Sequence, residues 1–154
     1  MGLPLTLYAP SMTRAMSQAE IYAFMGSGSK TGKLATVRQD GSPHIAAIWF
    51  DFDTNGDLMF LTGEHTVKAG NLRRDPRASV LVDTEDMPFD FARIDGTITF
   101  DDDPHQLLYW ATETCRRYVG DARAEEFGRR NGVPGEVIAR LTPTHMAGHL
   151  GVAD

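Results

Sequence analysis

The residues best suited to chemistry lie in one segment, TGEHTVKAGNLRRDPR, at positions 62–77. Its last ten residues carry four basic side chains and one acidic side chain, a local net charge of +3 in a chain whose net charge is −6. Thr62 and Gly63 end a predicted strand just before a short predicted helix that contains Lys68. A hydroxyl, backbone N–H groups and an ammonium could therefore bind one phosphate. The alternative interpretation is a solvated helix face with charges that pair four residues apart.

Sequence motifs for other common chemistries are missing. The chain contains no GxSxG, HExxH, CxxC or GxGxxG motif. His145 and His149 have the spacing of metal ligands on a helix, but Pro143 and Gly148 disfavour a helix there. The sequence therefore predicts no metal site, and it does not indicate a catalytic triad.

Composition limits the class of protein. A chain of 154 residues with 42% hydrophobic residues can bury a conventional core, so we expect one domain over residues 1–154. The balance of 15 Lys plus Arg against 21 Asp plus Glu disfavours general nucleic-acid binding. No apolar run reaches about 18 residues, which predicts no membrane span. The single Cys115 and the lack of a signal-like opening favour a cytoplasmic protein that starts near Met1.

The elements of the first half follow from apolar spacing and turn residues. In chain order the sequence predicts an irregular arm (1–16), a helix begun by the capping box SQAE, three strands of a meander (34–38, 44–52, 58–62), a short helix (66–74) and a strand (78–82). The short helix ends at Asp75-Pro76 because proline cannot continue a helix.

The second half predicts longer elements. Residues 89–100 alternate as one strand bent at Gly96, with a hairpin turning at Asp95-Gly96 as the alternative. A helical insertion over residues 103–132 precedes the last strand. Residues 137–150 predict either a strand pair or one kinked strand. Because this order lacks a regular βαβ alternation, an antiparallel barrel with helices packed around it is the favoured fold.

Several segments resemble a known superfamily. The stretches GKLATVRQDGSPHIAAIWFDFD, VKAGNLRRDPRASVLVD and FARIDGTITF, together with the strand that ends at Thr62, are similar to the flavin-binding split barrels of pyridoxamine-phosphate-oxidase-like proteins. The string Lys-x-x-Asn-Leu-Arg-x-Asp-Pro-Arg is the most specific of these. Within the superfamily the chain is most similar to the branch that uses the deazaflavin coenzyme F420.

The resemblance implies a homodimer of mainly β split barrels with helices, and two cofactor sites at the subunit interface. Lys68 would hold the cofactor phosphate together with Thr62 and Thr66. The strand over His44, Ile45, Ala46 and Ala47 would lie along the ring and offer backbone groups to its pyrimidine edge. Two further contacts are implied, with Thr36 and Val37 lining the same pocket and Phe89 reaching the cofactor of the partner subunit.

The resemblance also implies an activity. Reduced coenzyme F420 would give a hydride to an electron-poor small molecule such as an enone, a quinone or a tetrapyrrole, and no catalytic side chain is required. Its acidic tail would need a basic groove, for which Lys30, Lys33 and Arg38 are candidates. An FMN-dependent oxidoreductase or FMN-binding protein of the same fold is the alternative. A cofactor- or haem-binding module without turnover is the second alternative. Arg73, Arg74 and Arg77 are expected to be structural.

Overall fold

The computed structural model describes residues 13–153. This part of the chain forms antiparallel strands and four α-helices, which in chain order are β1 (Arg14–Ala15), α1 (Gln18–Gly26), β2 (Gly32–Val37), β3 (Pro43–Ile48), β4 (Asp51–Phe52), β5 (Leu58–Gly63), α2 (Val67–Arg74), β6 (Arg77–Asp83), β7 (Phe91–Asp101), α3 (Pro104–Val119), α4 (Asp121–Asn131) and β8 (Glu136–Leu150). Most of the predicted arm over residues 1–16 lies outside the described residues.

The sheet curls so that its two edges approach each other. Its strands lie in the order β3-β2-β6-β7-β8-β5-β4, and β1 pairs with β8. The two end strands, β3 and β4, are separated in the chain by Trp49 and Phe50 alone. Three Cα steps span at most roughly 11 Å, so the two edges must approach each other. The predicted fold class, an antiparallel split barrel with helices, is confirmed.

The predicted three-stranded meander is wrong at its middle strand. Residues 44–52 are divided between β3, which pairs with β2, and β4, which pairs with β5 at the other edge of the sheet. The division occurs at Phe50, whose side chain is fully buried and contacts the Phe52 ring edge to face. Burial of Phe50 inside the barrel takes the chain from one edge of the sheet to the other.

The long strands β7 and β8 pair along their whole lengths. β7 passes through Gly96 without a turn, and its register against β8 shifts between Asp95 and Gly96. The single bent strand is therefore confirmed, and the hairpin alternative is wrong. A Cβ atom at Gly96 would overlap the Thr142 carbonyl oxygen, so glycine is required for this close approach. β8 is also one strand of 15 residues.

Two apolar clusters lie on opposite sides of the sheet. The barrel interior is filled by fully buried side chains that include Phe60 and Ile94. On the other face, Met59 and Ile138 pack with Leu107 and Trp110 of α3. Because successive residues of a strand point to opposite faces, Phe60 serves the barrel and Met59 serves the helix layer.

The first helix begins with the predicted capping box. Ser17 Oγ accepts a hydrogen bond from the Glu20 backbone, and the Glu20 carboxylate accepts one from the Ser17 backbone. Arg14 binds the same carboxylate at 2.6 Å, and these contacts lower the pKa of Glu20 to about 2. The end of the predicted irregular arm is wrong, because Arg14–Ala15 pairs with β8 and Met16 is buried in the core.

The predicted helices between β7 and β8 form as α3 and α4. The Asp103 side chain caps α3 by accepting hydrogen bonds from the backbones of His105 and Gln106, and Pro104 is the first helical residue.

None of the helices within residues 13–153 is both long and apolar enough to cross a membrane. In the same part of the chain, His, Cys, Asp and Glu side chains form no group of three that could hold a metal ion.

One arginine ties α3 to the rest of the barrel. The Arg117 guanidinium donates to three backbone carbonyls, those of Gly28 (2.8 Å), Phe50 (2.9 Å) and Met25 (2.6 Å). It also lies over the Phe50 ring, with 4.4 Å from its central carbon to the ring centroid. The neighbouring Tyr118 hydroxyl donates to the Lys30 carbonyl at 2.9 Å. These contacts join the helix layer to the point where the barrel closes.

Replacing Arg117 should therefore destabilise the fold. The Arg117→Ala variant leaves three carbonyls without their charged donor, and we expect a loss of about 3 kcal/mol in the free energy of unfolding. The matched Arg129→Ala variant removes only an exposed contact to Glu125 at 3.5 Å and should cost less than about 0.5 kcal/mol. Urea denaturation measures both, and equal losses would contradict this role for Arg117.

Candidate cofactor site

Two threonine hydroxyls meet where β5 ends and α2 begins. Thr62 Oγ1 and Thr66 Oγ1 lie 2.9 Å apart, and the Thr66 hydroxyl donates to the Gly63 carbonyl at 2.8 Å. Thr66 is the N-cap of α2, since its hydroxyl accepts a hydrogen bond from the Ala69 backbone. The first amide groups of a helix have no carbonyl partner within it, so backbone N–H groups remain at this end of α2, beside two hydroxyls that are already hydrogen-bonded there. This combination suits an anion.

Lys68 lies in the first turn of α2 and is one of three lysines in the chain. Within residues 13–153, it makes no hydrogen bond or salt bridge, whereas Lys30 and Lys33 are both engaged. The structure therefore brings Thr62, Thr66 and the uncommitted Lys68 ammonium to one end of the barrel. The ammonium and the backbone N–H groups at the start of α2 are donors that fit a phosphate group.

An acidic residue stands beside this cluster. Glu136 begins β8 and pairs with Gly63 of β5. Burial raises the pKa of the Glu136 carboxyl, and the nearby Lys68 ammonium opposes that rise. The Lys68 charge is thus partly balanced by a carboxylate that forms no salt bridge with it.

The far end of α2 is fixed to β2. The Asn71 side chain, which is buried, donates to the Thr36 hydroxyl at 3.0 Å and accepts from Arg74 at 3.1 Å. Arg74 also donates to the Val37 carbonyl at 2.7 Å. The Thr36 hydroxyl and the Val37 carbonyl, both predicted to lie in the cofactor pocket, are therefore engaged in positioning α2.

The other basic residues of the segment also contact protein groups. Arg73 donates to the Glu64 carbonyl and lies over the Phe100 ring. Arg77 binds Asp75 at 2.7 Å, which helps to lower the pKa of that carboxyl to about 2. The local positive charge is thus structural, apart from Lys68.

The predicted ring-binding residues lie on β3, the first strand of the sheet order. Their side chains alternate: His44 and Ala46 are half-buried, whereas Ile45 and Ala47 are exposed, Ile45 by 69%. A planar ring cannot meet all four side chains. An edge strand does present a row of backbone N–H and C=O groups, which is the kind of contact predicted for the pyrimidine edge.

Two other groups of predicted residues lie outside the Thr62–Lys68 cluster. Thr36 and Val37 line a cavity of about 540 Å³ that is also bordered by β3, β6 and β7.

Phe89 is 44% exposed in the β6–β7 loop, at the opposite end of the seven-residue β6 from α2. A strand of that length spans about 20 Å, so within one chain Phe89 is not brought to the Thr62–Lys68 cluster. Its predicted contact with the cofactor of a partner subunit stays a prediction.

The three basic residues considered for the coenzyme tail are engaged elsewhere. Lys30 donates to the carbonyls of Phe24 and Ser27. Lys33 binds Asp83 at 2.5 Å, and Arg38 donates to the Pro43 carbonyl at 2.6 Å. These contacts give no support to a free basic groove formed by the three side chains.

Comparison with known proteins agrees with this architecture. Residues 18–149 match the family described as pyridoxamine 5'-phosphate oxidase. The chain belongs to this family. In a search of solved structures, the oxidase-family fold is shared by the conserved hypothetical protein Rv2991 from Mycobacterium tuberculosis. That protein is 31% identical, with 85% of this chain and 82% of that chain covered and a TM-score of 0.73.

Two further oxidase-like structures differ in what their names state. One is named F420 reductase and is 25% identical, with 81% of this chain and 94% of that chain covered and a TM-score of 0.64. The other is a haem binding protein from Mycobacterium smegmatis. It is 15% identical, with 90% of this chain and 55% of that chain covered and a TM-score of 0.65. The second likeness shows the fold alone. The fold therefore does not determine the ligand.

Two residues near the cluster were not predicted as site residues. Asn71 belongs to the segment that carries the resemblance, and its buried amide could have been identified as a positioning group from the Lys-x-x-Asn spacing. Glu136 lies 68 positions after Lys68 in the chain, and no local pattern connects them. Only the pairing of β5 with β8 places Glu136 beside the cluster.

The Thr66 hydroxyl should stabilise the fold as an N-cap. Thr66→Ala removes the cap and the contact with Thr62, and we expect a loss of about 1 kcal/mol in the free energy of unfolding. Thr66→Ser keeps the hydroxyl and should recover most of it. Thr54→Ala, at an exposed turn position, is the control and should change stability by less than about 0.5 kcal/mol. A serine variant as unstable as the alanine variant in chemical denaturation would contradict the capping role.

Proposed function

We propose that the protein is an oxidoreductase that uses the deazaflavin coenzyme F420. The observation that carries the proposal is the cluster of Thr62, Thr66 and the uncommitted Lys68 at the start of α2. The 25% identity to a structure named F420 reductase supports this choice of coenzyme. When bound, the coenzyme would supply a hydride to an electron-poor small molecule, of the enone, quinone or tetrapyrrole type.

The protein's part in this reaction is to bind and orient. The Lys68 ammonium binds the coenzyme phosphate, and the hydroxyls of Thr62 and Thr66 rotate away from their present acceptors to donate to it. The backbone of β3 binds the pyrimidine edge of the ring, and each face of the strand has a small side chain there, Ala46 on one and Ala47 on the other, which lets the ring approach. Hydride transfer then requires no ionisable side chain at the reacting carbon.

An FMN-dependent protein of the same fold is the second candidate. The engaged state of Lys30, Lys33 and Arg38 favours it, because the acidic tail of coenzyme F420 needs basic partners and FMN ends at its phosphate. The acidic side chains of Glu64 and Asp102, which border a cavity with Glu136, also favour FMN because they would repel an acidic tail. Direct titration with the two cofactors separates the candidates.

A fluorescence titration of the purified protein with coenzyme F420, and separately with FMN, tests the proposal. We expect tighter binding of coenzyme F420. Lys68→Ala should weaken this binding by about 2 kcal/mol, roughly 30-fold, because the phosphate loses its ammonium partner. The exposed Arg123→Ala on α4 is the control and should leave the affinity unchanged. Unchanged affinity in Lys68→Ala would contradict the site, and tighter FMN binding would favour the second candidate. If the bound, reduced coenzyme transfers no hydride to any acceptor offered, a binding module without turnover is favoured.

We further propose that the active form is a homodimer with the cofactor sites at its interface. The outer face of β3, β2 and β6 supports this. It presents the exposed Ile45 and Leu81 around small Ala35 and Ala47, which the strand register places on one face. Exposed apolar groups on neighbouring strands are typical of a protein contact. The cytoplasmic location expected from the single Cys115 stays a prediction.

Light scattering of the purified protein tests the dimer. The wild type should have twice the mass of the chain, and Ile45→Glu should shift the population towards the monomer because it buries a charge in the contact. Leu108→Glu places the same charge at an exposed apolar position on α3 and should leave the dimer intact. A wild type that is monomeric at all concentrations would contradict this proposal.

A further inference from the structure

A separate cavity lies on the helix side of the sheet. It has a volume of about 160 Å³, whereas one water molecule needs about 15 Å³ by a similar measure. It can therefore hold a small organic molecule. The residues that line it come from β5, β8, α3, the end of α4 and the β3–β4 connection; they are Trp49, Leu61, Ala111, Thr114, Cys115, Asn131 and Glu136.

This cavity is distinct from the Thr62–Lys68 cluster. Leu61 packs with the apolar residues that lie between the sheet and α3. Thr62 is the next residue of β5, so its side chain must point to the opposite face of the sheet. Glu136 lies between the two sites, on the same side of the sheet as Ile138 and α3.

The polar atoms of the lining are mainly hydrogen-bond acceptors. Glu136 contributes a carboxylate, and its side chain makes no hydrogen bond among residues 13–153. Thr114 is 4% exposed, and its hydroxyl has no partner in the described structure. Asn131 donates from its amide to Cys115 Sγ at 3.5 Å, which leaves the amide oxygen as an acceptor. A ligand that carries several N–H donors would satisfy these groups.

One wall of the cavity is aromatic. The Trp49 indole stacks on the Tyr118 ring, with 4.8 Å between centroids and 4° between planes. Tyr118 covers one face of the indole, and Trp49 remains 39% exposed. The uncovered face of an indole attracts cations more strongly than other aromatic rings do.

The charge balance of the cavity also favours a cation. No lysine or arginine lines it, and the one carboxylate is partly desolvated, since burial raises the pKa of Glu136. Lys68 compensates this carboxylate only from a distance, because the two side chains form no salt bridge. If Lys68 binds a phosphate, as proposed above, Glu136 loses even this compensation.

We propose that this cavity is a binding site for a small primary amine. The ammonium group binds the Glu136 carboxylate, donates hydrogen bonds to the Thr114 hydroxyl oxygen and the Asn131 amide oxygen, and lies near the Trp49 indole. The apolar part of the ligand packs against Leu61 and Ala111. This site is present in the protein without a coenzyme, so its occupation does not depend on the proposed redox function.

Calorimetric titration with benzylamine and with its neutral analogue benzyl alcohol tests the site in the coenzyme-free protein. We expect benzylamine to bind at least tenfold more tightly than benzyl alcohol at pH 7. Glu136→Gln keeps the shape of the side chain and should remove this preference. The control Glu125→Gln, on the exposed face of α4, should keep it. Equal affinities in the wild type, or a preference that survives in Glu136→Gln, would overturn the proposal.

A second variant tests the location independently. Thr114→Val replaces the unpartnered hydroxyl with a methyl group of the same shape, so the fold should be no less stable. The affinity for benzylamine should fall several-fold, whereas the affinity for benzyl alcohol should fall less. Unchanged benzylamine binding in Thr114→Val would overturn the assignment of the amine to this cavity. Because coenzyme is absent from these titrations, their failure is distinct from a failure of the phosphate site.

Discussion

Helix α2 is held by part-buried polar contacts at its start and by a buried one at Asn71, and the position of the candidate phosphate site depends on them. At its start, the Thr66 hydroxyl joins the helix to Thr62 and Gly63 of β5. At its far end, Asn71 binds the Thr36 hydroxyl of β2. A buried amide and hydroxyl are costly unless they pair, so these contacts fix one orientation of a helix only eight residues long. The position of Lys68 on α2 is fixed because these contacts prevent the helix from rotating about its axis.

The barrel around this helix closes through a short and heavily contacted segment. Phe50 fills the interior between β3 and β4, and its carbonyl is held by Arg117 from α3. The same arginine donates to the carbonyl of Met25, in the last turn of α1, and to that of Gly28, just after the helix. The helix layer is thereby attached where the sheet would otherwise open. It also forms one wall of the cavity lined by Leu61 and Glu136, which lies on the other face of β5 from Thr62.

Local sequence signals predicted the local structure well. The capping box at Ser17, the proline that ends α2 and the bend at Gly96 each depend on a few neighbouring residues, and the structure contains all three. Thr62, Thr66 and Lys68 lie within seven consecutive positions, and their role at a phosphate stays a prediction. The separation of β3 from β4 could not be predicted, since an alternating apolar strand has the same pattern at either edge of a sheet.

Features that depend on distant pairings could not be predicted from the sequence. Glu136 reaches the candidate site only through the register of β5 with β8. The engagement of Lys30, Lys33 and Arg38 depends on partners such as Asp83, which lies 50 positions after Lys33. Charge counted along the chain therefore overestimated the basic surface available to a coenzyme tail, and the choice between coenzyme F420 and FMN depends on where that tail would lie.

The central claim is that a cofactor phosphate binds at the start of α2. A crystal structure of the protein with coenzyme F420 tests it most directly, with an FMN soak of the same crystals for comparison. The account predicts phosphate oxygens within hydrogen-bond distance of the Lys68 ammonium and the hydroxyls of Thr62 and Thr66, with the ring along β3. A phosphate bound elsewhere, with Lys68 still free, would contradict it.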